Sequence, residues 1–274
     1  MVWNPVTGCS AVSDGCKNCY AATMTGRLAG MKHSKAKYAG LLNSSGHFNG
    51  TVRCHEDVLD KPLNRRKPTT YFVNSMSDLF HAGVPFEFID KVFAVMMALC
   101  PQHTFQILTK RPERMAEYLY WHGQFTEDGG PLPNVWLGTS VENQQAADER
   151  IPHLLKCPAA VRFLSIEPLL GAIDFLYGPQ AWGLLTDIDW AIIGGESGSG
   201  ARPCNVAWIR SLIDQCKAAG VPAFVKQLGK VPYWAEHRGV AKTIHELRLK
   251  HPKGGDMSEW PEDLRVREMP ESSS

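Results

Sequence analysis

The sequence predicts an α/β fold, a full or partial parallel (β/α) barrel with an inserted basic segment and a C-terminal extension. Three observations support it. Short apolar runs alternate with longer amphipathic stretches, the pattern in which parallel strands are joined by right-handed crossovers. Most of the apolar runs end in polar residues, and in parallel barrels the loops after the strands build the site. The length of 274 residues suits one barrel, since such domains commonly run to about 250 residues without splitting.

In chain order the predicted strands cover residues 2–5, 69–74, 104–109, 135–139, 161–166, 190–194 and 223–226, and the predicted helices cover 20–31, 85–99, 112–121, 143–155 and 206–219. Pro112 suits a first helical turn, where its missing N–H is not needed, and Asn205 suits an N-cap. The longest apolar run, residues 92–100, is far too short to cross a bilayer and reads as a buried helix. A barrel over residues 1–229, interrupted by an insertion at about 32–68, and an extension or lid over 230–274 complete the expected organisation. Trp234 and Trp260 belong to that extension, as a cover over the barrel mouth or simply packed onto it. Residues 272–274 are expected to be disordered.

Net charge is +1, which argues against a generic polyanion binder. The distribution is uneven, however. Residues 1–70 hold ten Lys or Arg (Lys17, Arg27, Lys32, Lys35, Lys37, Arg53, Lys61, Arg65, Arg66, Lys67) against four acids (Asp14, Glu56, Asp57, Asp60). Such a cluster either holds the phosphates of a nucleic acid or nucleotide, or is a solvated basic face. The opening Met1-Val2-Trp3-Asn4-Pro5 has neither the basic end nor the apolar stretch of a signal peptide. The expectation is a cytoplasmic protein with no membrane association, whose eight cysteines stay reduced.

Three of those cysteines, Cys9, Cys16 and Cys19, lie within nineteen residues of the start. Three thiolates on one glycine-bearing loop can grip a four-iron four-sulfur (4Fe-4S) cluster by three irons and leave the fourth open. A structural zinc site would need a fourth ligand, from Cys54, His55 or His33. A redox pair would need only Cys16 and Cys19. Cys100, Cys157, Cys204 and Cys216 lie singly and read as small buried hydrophobes.

The predicted strand ends are unusually polar: Asn74-Ser75-Met76-Ser77-Asp78, Thr109-Lys110-Arg111, Thr139-Ser140-Val141-Glu142-Asn143, Ser165-Ile166-Glu167-Pro168, Gly194-Gly195-Glu196-Ser197-Gly198 and Lys226-Gln227. One polar cap closes a turn; six in succession read as a lined cavity. The loop from Gly194 to Gly200 lacks the G-x-G-x-x-G order of a phosphate cradle and contains a carboxylate, so a close-approach turn is expected there.

Together with Trp3-Asn4-Pro5 before the cysteines, Ser77-Asp78-Leu79-Phe80, Leu108-Thr109-Lys110-Arg111-Pro112, Ser165-Ile166-Glu167-Pro168-Leu169-Leu170, Ala201-Arg202-Pro203 after the glycine loop, Lys226-Gln227-Leu228-Gly229 and the tail pairs Gly254-Gly255 and Trp260-Pro261, these motifs resemble the phage and prophage three-cysteine proteins of the radical S-adenosylmethionine (SAM) superfamily. The resemblance runs from Trp3 to about Pro270. The six residues between Cys9 and Cys16 depart from the superfamily's commoner Cys-x3-Cys-x2-Cys.

The resemblance implies a barrel of the radical SAM type, a 4Fe-4S cluster on Cys9, Cys16 and Cys19, and SAM cleaved to a 5′-deoxyadenosyl radical. It also implies an electron donor such as flavodoxin or ferredoxin. By strand order it puts Ser75, Ser77 and Asp78 at the methionyl amine, Lys110 at the carboxylate, and Ser140 and Glu142 at the ribose or carboxylate, with Gly194 and Gly195 in close approach to SAM or substrate. Capping is the competing role for Ser75 and Ser140. Glu167, Glu196, Lys226 and Gln227 face the substrate in that scheme, or else form a structural ion-pair network. Three functions remain open: hypermodification of pyrimidines in phage DNA or a modified nucleotide, radical chemistry on a small metabolite or peptide, and a zinc-stabilised barrel that binds nucleic acid without catalysis.

Overall fold

A computed structural model describes residues 1–123, 129–176, 183, 185, 187–238 and 241–271. The expectation for residues 272–274 lies outside the described residues.

The main sheet contains seven strands: β1 (Val2–Trp3), β2 (Thr70–Val73), β3 (Thr104–Thr109), β4 (Val135–Ser140), β5 (Val161–Ile166), β6 (Trp190–Gly194) and β7 (Ala223–Gln227), ordered as they follow in the chain. The mixed α/β class with a parallel seven-stranded sheet is therefore as the sequence predicts, and a strand order that never doubles back suits a partial (β/α) barrel. The chain divides into two compact units, one formed essentially by residues 1–139 and 153–162, the other by 140–152 and 163–272.

In the first unit β1 to β4 pair in parallel, with Trp3 opposite Val73, Tyr71 opposite Phe105 and Ile107 opposite Leu137. Phe105, Ile107 and Thr109 alternate into the core along β3, as a period of two requires. Tyr71 stacks on Phe105 at 5.6 Å and Trp3 tilts against the same ring at 5.7 Å. The Trp3 indole N–H donates to Val58 O at 2.8 Å, tying the start of the chain to the basic insertion. That insertion is no detached loop. Its Arg53–Cys54 strand pairs antiparallel with Val6–Thr7, and Leu41 and Val58 are buried.

Helix α1 (Tyr20–Ala29) follows the third cysteine, α2 is Phe86–Ala94 and α3 is Pro112–His122, with Pro112 in its first turn. The helix expected over residues 85–99 is α-helical only to Ala94 and continues as a π-turn, Val95–Leu99. Val95 and Met96 stay buried whereas Met97 and Leu99 are exposed, so the apolar run is buried along only part of its length. It stops before Pro101, which disfavours helix at Cys100.

Helix α4 (Gln144–Leu154) links β4 and β5 in the chain. In the second unit β5, β6 and β7 pair in parallel, with Leu164 opposite Ala191 and Ala223 opposite Ala191 on its other side. Helix α5 (Val206–Ala219) begins where Asn205 Oδ1 accepts from Ala207 N at 3.0 Å and ends at Gly220, whose φ of +70° is left-handed. The extension adds an antiparallel hairpin, Pro232–Arg238 with Ala241–Glu246. Trp260 is buried in this unit, its indole N–H donating to Gly254 O at 3.0 Å, and Trp234 stacks half-exposed on His245 at 4.0 Å. Cys100, Cys157, Cys204 and Cys216 are all buried, the small-hydrophobe role expected of them. Among the described residues no helix is long and apolar enough to cross a membrane.

Candidate functional site

The cysteine loop starts at a backbone position that only glycine fills. Gly8 has φ +90°, and a Cβ there would lie 2.1 Å from Thr51 O. The loop is fastened to the end of β2. Asn74, itself left-handed at φ 59°, accepts from Val6 N through Oδ1 at 3.1 Å, and the Ser77 hydroxyl donates to Val6 O at 2.8 Å. Asn tolerates that conformation better than most residues. Cys16 closes a short 3-10 turn and Cys19 sits at the N-cap of α1. All three thiols are free and half-buried.

What lies beside Cys9 is a charge network the sequence reading did not anticipate. Arg111 reaches from the end of β3 to place Nη1 3.8 Å from Cys9 Sγ and 2.9 Å from Asp78 Oδ2, while Nη2 donates to Ser10 O at 3.0 Å and Ser10 Oγ at 2.9 Å. Asp78, almost fully buried, also accepts from Phe80 N at 3.0 Å, Thr109 Oγ1 at 2.7 Å and Lys110 N at 3.1 Å. With four donors its lone-pair directions are filled. His81 Nδ1 accepts from Gly83 N at 3.0 Å, which assigns the proton to Nε2 and makes it the donor to Ser10 Oγ at 2.9 Å. Burial pushes the Cys9 thiol up to about 11, helped by the Asp78 carboxylate and opposed by Arg111. Burial likewise holds His81 below its ordinary value.

The other candidates of this unit play smaller parts. The Ser75 hydroxyl donates to Asn4 Oδ1 at 3.2 Å, and its carbonyl accepts from the Tyr20 hydroxyl. Lys110 contributes its backbone N–H to Asp78, and its ammonium makes no ion pair among the described residues.

The second unit gathers the remaining candidates into three acid–cation pairs. Glu142, 1 % exposed, is bound by Arg150, whose Nη1 lies 2.9 Å from Oε2 and 2.7 Å from Ser140 O. Glu196 is clasped by Arg202, with Oε2 accepting from the Arg202 backbone N at 2.8 Å and Nε at 2.9 Å, and Oε1 from Nη2 at 2.6 Å. The third pair is Glu167 Oε2 with Lys226 Nζ at 2.8 Å, more open to water on the lysine side. These strand ends touch. A Cβ on Gly194 would meet Glu167 Oε1 at 3.2 Å, and Gln227 Nε2 donates to Gly195 O at 2.9 Å. The glycine loop also approaches the chain itself: a Cβ on Gly195 would sit 2.3 Å from Leu228 O.

Against known proteins, the family described as "Protein of unknown function (DUF5131)" matches residues 1–256, almost the whole chain. The chain belongs to the DUF5131 family. No curated protein and no solved structure matches it.

In this DUF5131 member the cysteine loop fits an iron–sulfur cluster by the chemistry of its donors. Soft thiolates are the ligands such clusters take, and the three are unpaired on one loop with a guanidinium beside Cys9 to offset their negative charge. Among the described residues no three His, Cys, Asp or Glu side chains converge on a single-ion position, and His55, one of the expected extra ligands, instead bonds Thr7 Oγ1 at 2.8 Å. A cluster spreads its thiolates over different irons, so convergence on one point is not its requirement.

Sequence reasoning singled out Lys110 and passed over its neighbour. The signal was present: alternation continued past inward-facing Thr109 puts Arg111 on the same side. Ser10 and His81 gave no such signal, because their partnership spans 71 residues. Arg150 gave no such signal either, because Glu142 precedes α4 and lies eight residues away, beyond the three or four at which helical neighbours meet.

Proposed function

We propose that this protein is a radical SAM enzyme that modifies pyrimidines of phage nucleic acid, with electrons from a carrier such as flavodoxin or ferredoxin. The observation behind this reading is the loop of Cys9, Cys16 and Cys19 with the Asp78–Arg111 pair set against its first thiol. Bound together, the cluster and SAM supply one-electron cleavage of the sulfonium and a 5′-deoxyadenosyl radical.

The chain's own residues bind and orient. Cys9, Cys16 and Cys19 hold the cluster. Ser75 and Ser77, after the end of β2, would offer hydroxyl oxygens as acceptors to the methionyl amine, their protons being given to Asn4 and Val6, and Lys110 would offer a point charge to the carboxylate. Asp78 acts through Arg111, its own acceptor positions being taken. In the second unit Glu142 and Glu196 act through Arg150 and Arg202, their carboxylates being taken up by those side chains. Ser140 lies beside the first pair at the ribose end, Gly194 and Gly195 keep the strand ends close, and Glu167, Lys226 and Gln227 meet the substrate. Of these, the Glu167–Lys226 pair is the best suited to exchange a proton, since its two groups lie 2.8 Å apart and Lys226 is about half exposed.

Protein purified and reconstituted without oxygen should be brown, contain about four irons per chain, and release 5′-deoxyadenosine with SAM and dithionite. Cys9→Ala, Cys16→Ala and Cys19→Ala should each abolish the cluster. Stoichiometric zinc in place of iron would reject this function and favour a zinc-stabilised binding protein.

A further inference from the structure

We infer that Arg111 is a positioning residue that raises the reduction potential of a cluster held at Cys9, and that Asp78 sets how strongly it does so. The inference rests on the radical SAM reading and adds to it a control on the electron-transfer step.

The geometry is specific. Arg111 Nη1 is shared between Cys9 Sγ at 3.8 Å and Asp78 Oδ2 at 2.9 Å, and Nη2 is anchored on both the carbonyl and the hydroxyl of Ser10. The Arg111 side chain is 15 % exposed and that of Asp78 8 %, so water and salt screen this charge far less than they would at the surface. The fork is fixed before any ligand arrives. Asp78 is itself held by Phe80 N, Thr109 Oγ1 and Lys110 N, and Ser10 Oγ is also held by His81.

Reduction adds one electron, delivered by a one-electron carrier, to a cluster whose thiolate ligands are already negative. A fixed cation and an N–H donor at one ligating sulfur stabilise the more negative, reduced state more than the oxidised one, which moves the potential upward. Asp78 works in the opposite sense. Its carboxylate cancels part of the guanidinium charge while keeping it aimed at Cys9. The pair is thus a damped cation, and its two members have opposite effects on the same quantity.

The test is an EPR-monitored potentiometric titration of the full-length, anaerobically reconstituted protein without SAM, with iron and sulfide measured on every sample. Arg111→Gln should shift the midpoint to more negative potential, and Arg111→Lys, which keeps the charge but loses the fork, should shift it less. Asp78→Asn should shift it to more positive potential. A general loosening of the loop does not produce opposite signs from two neighbours in one ion pair. An unchanged or raised midpoint in Arg111→Gln at full iron content overturns the inference. Should that variant fail to load iron, Asp78→Asn decides, and an unchanged or lowered midpoint overturns the inference with the radical SAM reading intact. A wild-type protein that holds no iron–sulfur cluster overturns both.

Discussion

At Gly8 a single methyl group separates two energetic effects. Its φ of +90° costs any other residue strain of order 1–3 kcal/mol, and its Cβ position lies 2.1 Å from the backbone oxygen of Thr51. Gly46 provides the comparison, with φ +78° and nothing within 4 Å of its Cβ position. Gly46→Ala should therefore cost only the conformational strain, about 1 kcal/mol. Gly8→Ala must in addition push Thr51 away from the loop, because a backbone carbonyl cannot rotate aside as a side chain can. Urea unfolding should show Gly8→Ala the less stable by at least about 1 kcal/mol more than Gly46→Ala, and anaerobic reconstitution should show iron lost from Gly8→Ala alone. Equal stabilities and equal iron contents would mean that the loop adapts and that its entry geometry is not set at Gly8. The same residue-scale logic explains Asn74, whose left-handed backbone and Oδ1 contact to Val6 N turn the end of β2 against the cysteine loop.

At the scale of elements, Arg150 ties the middle of α4 to Glu142 and to the Ser140 carbonyl at the end of β4 within the second unit. The Arg150 and Glu142 side chains are nearly inaccessible, at 8 % and 1 % exposure. Breaking such a pair from one side leaves a buried charge unmatched, so Arg150→Met should cost about 3–5 kcal/mol. The double variant Glu142→Gln with Arg150→Met should recover a large part of that loss, and a double-mutant cycle from urea unfolding measures the coupling. A double variant as unstable as the sum of the singles would show that the two side chains do not interact. Elements are also where the sequence was most legible. Strands 104–109, 161–166 and 190–194 and helix 206–219 have the predicted boundaries because their signals are local: a dense apolar run, an alternation, an Asn cap before and a glycine after. The π-turn after Ala94 was not legible, since Val95 and Met96 are selected by packing rather than by any feature of the apolar run itself. The candidate site divides the same way. The cysteines announce themselves by spacing, and the acid-bearing strand ends by composition. The Arg111–Cys9 contact spans 102 residues, and no local period encodes a pairing at that separation. Charge alone pointed to Lys110, whereas the alternation of β3 points to Arg111.

At the scale of the whole molecule, the uneven charge bears on the substrate. No Asp or Glu occurs between Gly15 and His55, a stretch that contains Lys17, Arg27, Lys32, Lys35, Lys37 and Arg53. Two of the acids that follow are already matched, Asp57 by Lys37 at 2.8 Å and Glu56 by Lys91. Beyond them Arg65, Arg66 and Lys67 are exposed, with the Arg65 Nε held on Thr69 Oγ1 at 2.6 Å. A polyanion bound on these side chains would release condensed counterions. Log affinity for duplex DNA should then fall linearly with log salt, with a slope of about −0.9 for each phosphate contacted. Changing Arg65, Arg66 and Lys67 together to Ala should weaken binding and flatten the slope by up to about 2.7, three contacts at about 0.9 each. Because all three side chains are exposed, the fold should tolerate the change, and an unaltered urea midpoint would verify it. Fluorescence anisotropy over a range of salt, on DNA with and without modified pyrimidines, makes the measurement. Binding that is absent at low salt, or whose slope ignores the triple change, would turn the choice toward a small metabolite or a peptide, because the basic insertion would then be a solvated face of a unit that already buries Leu41 and Val58 in its own core.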